Sequence, residues 1–344
     1  LQVARTLSGQ QVMAVVKAGA YGHGSRRLAS ALEGDGVAFF GVANVGEARR
    51  LTEDGIRTPI YLLGATFPDE REEVVARGWV PCLNTLEEAR QFDALARRRE
   101  TVLKAHLTVD TGMGRGGFLP GQAAEALDEI HTLSALEIGG LGSHLPSADE
   151  DPDFTRDQFE RFDHLAEELQ RKHRFEFVHL ANSAGLLGYH SRTTNLVRPG
   201  LLLYGVAPLP EHQEQLQTVM SLKSRVAVIR ELPAGHGISY GRTFVTKRPT
   251  RVATVGVGYG DGYPRAVSNH RAEAFLRGQR VPLLGRVTMD QLMLDVTDLP
   301  VCEVGDEVEM LGPNLPVREV AEKAGTIPWE IFTSITPRVA RIYR

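Results

Sequence analysis

Short apolar stretches recur through the first part of the chain, at 12–16, 37–42, 59–63, 80–83, 102–109, 138–142, 177–181 and 195–198. Between them lie charged, alanine- and leucine-rich segments with helical spacing. One sets Thr85 three residues before Glu88, the signature of a helix start, and another, at 157–172, is apolar at Phe159, Phe162, Leu165 and Leu169. Eight near-continuous apolar strands alternating with amphipathic helices predict an α/β fold. Parallel strands are covered on both faces, so the expected form is a (β/α)8, TIM-like barrel, with an open doubly wound sheet as the weaker alternative. Beyond about residue 215 the pattern changes. Runs rich in Val, Ile, Leu and Thr at 219–229, 252–257, 281–284, 292–296 and 307–311 are separated by Gly and Pro rather than by helices, which predicts a mainly β region. The segment Ala207-Pro208-Leu209-Pro210 marks the seam, giving a barrel domain over 1–213 and a mainly β domain over 214–344.

Composition narrows the function without choosing it. Lys plus Arg (39) nearly balances Asp plus Glu (43), and the one basic cluster, Arg97-Arg98-Arg99, is too small for a phosphate-backbone footprint, so nucleic acid is not an expected partner. The longest apolar run, 37–43, falls far short of the roughly 20 residues that a bilayer helix needs, so no membrane span is expected. Two cysteines, Cys82 and Cys302, leave no material for a disulfide framework or a zinc cluster and make the reducing cytoplasm the default location.

In a parallel barrel, chemistry is expected at the carboxyl ends of the strands. The polar residues standing there are Lys17 after the first strand, Arg115 after the fifth, His144 after the sixth, Asn182 and Ser183 after the seventh, and Arg198 with Pro199-Gly200 after the eighth. Met13, Ala14, Val15 and Val16 precede Lys17, a poor setting for a solvated ammonium. That amine must be paired, or shifted towards its neutral, nucleophilic form. Ser183 and Gly200 follow strands seven and eight, where barrels commonly bind phosphate through a hydroxyl and open backbone N–H groups. An amine nucleophile and a phosphate cup on one rim suggest pyridoxal phosphate. Taken singly, Lys17 reads as an ion-pair partner and His144 as a hydrogen-bonded core histidine. Two lures carry less. Asp110-Thr111-Gly112 has no second copy, as an aspartic protease would need, and Gly256–Gly262 is followed by Tyr263-Pro264 rather than by the helix of a dinucleotide loop. The acidic run at 149–153 reads as a loop entering the next helix.

The segment Ala14-Val15-Val16-Lys17-Ala18-Gly19-Ala20-Tyr21-Gly22-His23-Gly24 closely resembles the cofactor-lysine motif of alanine racemases. The resemblance continues, in order, through 110–115, 142–144, 181–183, 198–200, 238–241, 258–263 and 285–291. It implies a barrel followed by a β domain, pyridoxal 5′-phosphate as cofactor, an amino-acid substrate, and a homodimer with composite sites that supplies D-alanine for peptidoglycan. Carried onto this chain, it makes Lys17 the cofactor lysine and one base, and Tyr240 of the partner subunit the other. Tyr21, Ser183 and Gly200 bind the phosphate, Arg198 faces the pyridine nitrogen, and His144 lines the ring or orients Arg198. Arg115 and Met289, the latter from the partner, receive the substrate carboxylate.

Four departures qualify the match. Thr108 stands where many members carry a carbamylated lysine that holds the carboxylate-binding arginine, so Arg115 needs another partner. Pro337 replaces a tyrosine found in some members. Gly19 replaces an asparagine, a change expected to loosen the lysine turn without removing chemistry. The chain opens at Leu1 rather than Met, and the resemblance implies about twenty further residues before the lysine strand, with any targeting leader among them. A basic amino-acid decarboxylase or a racemase of larger substrates shares the same plan, and Tyr240 favours racemisation, which needs a second proton-transfer group. A non-enzymatic single-barrel cofactor carrier would lack the residues after 215.

Overall fold

The computed structural model describes residues 1–268 and 272–344. They form two compact units, Leu1–Ala20 with Gly24–Gln217, and Thr218–Arg344 with Tyr21–His23. The first unit contains eight strands: β1 Gln11–Val15, β2 Phe39–Val42, β3 Ile60–Leu62, β4 Val80–Leu83, β5 Leu103–Thr108, β6 Leu136–Gly142, β7 Phe177–His179 and β8 Leu196–Val197. All pair in parallel, in the order β7-β6-β5-β4-β3-β2-β1-β8. The ring closes between β7 and β8 through Asn195 N donating to Val178 O (3.0 Å) and Arg198 N to Ala181 O (2.9 Å).

Burial on both faces explains why these strands read as unbroken apolar runs. Every residue of β2 and β4 is buried, and the barrel interior packs Met13, Phe39, Tyr61, Val80, Cys82, Phe177 and Leu196 together. The connecting helices start where their caps stand. Thr85 accepts from Glu88 N ahead of Leu86–Arg98, and Asp151 accepts from Phe154 N ahead of Pro152–Gln170, which gives the acidic run a capping role. Strands β3, β7 and β8 are shorter than the apolar runs that announced them.

The second unit is a closed antiparallel barrel. Its strands are β9 Leu222–Leu232, β12 Thr250–Val255, β13 Glu273–Leu276, β14 Gln279–Leu284, β15 Leu292–Asp295 and β16 Glu307–Leu311, ordered β12-β15-β14-β13-β16-β9, with the small hairpin β10 Gly237–Ile238 and β11 Phe244–Val245 beside them. Leu232, Ile238, Val252 and Leu284 form a core cluster there. Two helices, Val317–Ala324 and Pro328–Ser334, follow beyond the last of the apolar runs, in a region read from the sequence as mainly β. Val317, Val320 and Ala321 are the buried face of the first. Two turns give this 3.6-residue period too little length to stand out.

Candidate active site

Lys17 leaves the end of β1 into an uncommon turn. Ala18, Gly19, Ala20 and Tyr21 all have positive φ (52°, 62°, 55° and 52°), one turn of left-handed backbone in L-residues. Each non-glycine residue there costs about 1–2 kcal/mol, so the surroundings must hold the turn. Ala20 N donates to Val16 O and Gly24 N to Gly19 O, both at 2.8 Å. The carboxylate of Glu47 takes Ala18 N on one oxygen (2.6 Å) and Ala43 N on the other (2.8 Å). Glu47 is fixed in turn by the first turn of the helix Val45–Glu53, whose cap Asn44 accepts from Glu47 N. Gly19 carries no Cβ penalty at φ 62°, so this backbone suits glycine and is no looser for it. Gly19→Ala should therefore lower stability by about 1–2 kcal/mol, read as a lower Tm in a thermal melt; an unchanged Tm would contradict the turn.

The Lys17 amine is held below the ordinary lysine range by burial first and then by the positive charge of Arg115, with Glu47 pulling the other way and Arg198 adding to the depression. Val15 N donates to Pro199 O at 3.1 Å and Tyr204 OH to Val15 O at 2.8 Å, which sets the lysine strand beside the loop after β8. In that loop Gly200 N donates to Ser183 Oγ at 2.9 Å, so Ser183 and Gly200 meet. Asn182 caps the short helix Ser183–Gly188 by accepting from Gly185 N.

Arg198 is 5 % exposed. Its guanidinium donates to Ser143 O (2.6 Å), Leu180 O (3.1 Å), His179 Nδ1 (2.5 Å) and His144 Nδ1 (3.2 Å). Among the described residues no carboxylate pairs with it. Burial lowers its pKa to about 10, Tyr61 opposes that shift and Arg115 adds to it, leaving the group charged at neutral pH. Burial, followed by the charges of Arg198, Arg115 and Lys17, brings the His144 imidazole down to about 3. Burial also pushes the Tyr21 hydroxyl up to about 12.

Asp110 builds the loop that carries Arg115. Its Oδ1 accepts from Gly112, Met113 and Gly114 N at 2.8–3.1 Å, and although burial alone would raise its pKa, these donors hold it below the ordinary value. Arg115 is exposed, and no hydrogen bond joins it to Thr108 at the end of β5 among the described residues.

In the second unit Tyr240 is 69 % exposed and Met289 52 %. Ser239, at φ 62°, donates from Oγ to Arg286 O at 2.6 Å, while Tyr259 N and Gly260 N donate to Thr288 O and Met289 O. The motifs at 238–241, 258–263 and 285–291 therefore converge. Arg338 joins the last two, its Nε on Asp261 Oδ1 (2.9 Å) and its Nη2 on Asp290 Oδ1 (2.8 Å). Lys17, His144, Ser183, Arg198 and Gly200 thus share one rim of the first unit, and Tyr240 and Met289 neighbouring loops of the second. Glu47, His179 and Arg338 escaped the sequence reading. Only Glu47 carried a local signal there, its three-residue spacing from Asn44.

A parallel barrel followed by an antiparallel one, in this order and with these motifs, defines an amino-acid isomerase. The chain belongs to the alanine racemase family: residues 1–208 match the family's N-terminal domain and residues 219–343 its C-terminal domain. It is 42 % identical to the alanine racemase of Geobacter sp. strain M21 over 354 residues, covering 98 % of this chain and 93 % of that protein. Among solved structures, the alanine racemase of Streptomyces coelicolor A3(2) matches with a TM-score of 0.93 at 32 % identity, covering 99 % of this chain and 94 % of that one. That of Bartonella henselae, described with covalently bound pyridoxal phosphate, matches at 0.91 and 31 %, covering 100 % and 95 %.

Proposed function

We propose that the protein interconverts L- and D-alanine with pyridoxal 5′-phosphate, using Lys17 and Tyr240 of the partner subunit as the two bases, and so supplies D-alanine for peptidoglycan. The observation that carries this reading is the depressed Lys17 amine on the same rim as Arg198, Ser183 and Gly200. These residues fit the cofactor: an amine shifted towards its free form for its carbonyl carbon, a hydroxyl and backbone N–H groups for its phosphate, to which the family resemblance adds Tyr21, and a guanidinium that no carboxylate pairs among the described residues for its ring nitrogen. When bound, pyridoxal phosphate supplies an electron sink that acidifies the Cα–H of an amino acid.

The chain's residues do the rest. Lys17 Nζ removes or returns the Cα proton on one face, and the phenol oxygen of Tyr240 of the partner subunit does so on the other, since inversion needs proton transfer on both faces. Arg198 would hold the ring nitrogen as a hydrogen-bond donor that keeps its own proton, since burial lowers its pKa only to about 10. Arg115 and the partner subunit's Met289 receive the carboxylate shared by both enantiomers. A tyrosine and a methionine this exposed suit a surface that a second copy covers in an isologous homodimer.

Arg115→Leu should raise KM strongly for both enantiomers. Added bicarbonate should leave wild-type activity unchanged, since Thr108 has no amine to carbamylate; bicarbonate-dependent activity would contradict this. Chiral chromatography after incubation with L-alanine tests the whole reading: D-alanine should accumulate towards an equal mixture, and its absence from protein loaded with pyridoxal phosphate would overturn it.

A further inference from the structure

Arg198 is a buried cation held by neutral acceptors alone, and behind it lies a chain of two imidazoles that the proposed chemistry does not use. We propose that His179 and His106 are positioning residues, a buried relay in which each ring is locked in one tautomer so that the Arg198 guanidinium stays oriented and fully charged without a carboxylate. The direction follows from donor counting. A guanidinium only donates, so His179 Nδ1, 2.5 Å from Arg198 Nη1, must accept. A neutral ring that accepts on Nδ1 carries its hydrogen on Nε2. That nitrogen lies 2.9 Å from His106 Nδ1, so His179 donates there, His106 accepts, and His106 also carries its hydrogen on Nε2. His144, facing Arg198 through Nδ1, obeys the same rule.

Two glycines of β6 make room for the relay. His106 on β5 pairs in register with Gly140, and His179 on β7 with Gly142. A Cβ on Gly140 would lie 2.6 Å from the His106 ring, and one on Gly142 would lie 2.2 Å from His179 Cε1. Gly139-Gly140-Leu141-Gly142 thus has a purpose beyond strand formation, since alternate residues of one strand accommodate the rings from its two neighbours. Phe177 stacks on His106 (5.9 Å between centroids), and Phe39 and Tyr61 close around it. Burial first and then the Arg198 charge keep both rings neutral, His106 at about 3 and His179 well below the ordinary value.

The consequence is electrostatic. A carboxylate would cancel the guanidinium charge, whereas a neutral imidazole offers a lone pair and a dipole, strengthened by the second ring behind it. The full positive charge remains on the face that, in the proposed function, meets the cofactor ring; the inference depends on that reading only for what Arg198 faces.

Long-range 1H–15N correlation spectra of histidine-labelled protein without cofactor test the relay itself. Two signals, assigned by their loss in His106→Asn and His179→Asn, should show a bare Nδ1 and a protonated Nε2, unchanged from pH 5.5 to 8.5. The opposite tautomer or a doubly protonated ring at either position would overturn the proposal even if racemisation is confirmed. The second arm asks what the relay does to the cofactor. His106→Leu removes the acceptor and should weaken pyridoxal-phosphate binding about tenfold and shift the visible absorption band, while His106→Asn, whose amide oxygen replaces Nδ1, should restore both to within about threefold. Folded Leu and Asn variants that behave alike would show that His106 only fills space.

Discussion

Lys17→Ala is expected to lower racemisation by about three to four orders of magnitude in both directions, because in the proposed mechanism one side chain serves as cofactor attachment point and as base. Its position explains why no other lysine can stand in. Lys17 lies at the carboxyl end of β1, in a left-handed turn clamped by Glu47, one hydrogen-bonded strand away from Pro199-Gly200. Lys104 and Lys172 are exposed and face carboxylates. The setting also matches the chemistry, since burial and the nearby guanidinium charges hold the amine below the ordinary lysine range and so shift it towards its free form. D-alanine formed from L-alanine, and the reverse, followed by chiral chromatography, measures the loss. Turnover within tenfold of wild type would contradict the assignment.

Tyr240→Phe should lower racemisation by about two to four orders of magnitude while leaving cofactor binding nearly unchanged, since in the proposed mechanism it removes one proton-transfer group and leaves the phosphate residues intact. The loss should be uneven at the level of Cα deuterium exchange if, as the family resemblance implies, the tyrosine serves the L-enantiomer and the lysine the D-enantiomer. Mixing this variant with Lys17→Ala probes the dimer. Random subunit exchange makes about half of the dimers mixed, and each mixed dimer has one site with both bases, so about a quarter of all sites should recover. Mixed dimers that form, as shown by tagged chains, and stay inactive would place both bases in one chain.

Much of this was legible in the sequence because burial on two faces writes itself into composition. The run at 80–83 is β4 to the residue, and Thr85 caps the helix that the Thr85 to Glu88 spacing announced. The rim residues stood out only jointly, since each taken singly has a structural explanation and it is Lys17, Arg115, Ser183, Arg198 and Gly200 together at strand ends that suggest a site. What escaped needed the third dimension. Ala18 and Ala20 prefer right-handed backbone, so only Glu47 and the neighbouring carbonyls reveal a left-handed turn. His106 and His179 sit inside apolar strands far apart in sequence, and their contact exists only once β5, β6 and β7 lie side by side. In the second unit, four-residue β13 and the two short helices are below the length at which periodicity separates from chance.

Borohydride reduction of the protein loaded with pyridoxal phosphate, followed by proteolysis and peptide mapping, tests the central claim most directly. The account predicts a single pyridoxyl-labelled peptide with the label on Lys17; a label on Lys104, Lys172 or any other lysine in place of Lys17, or none at all, would contradict it.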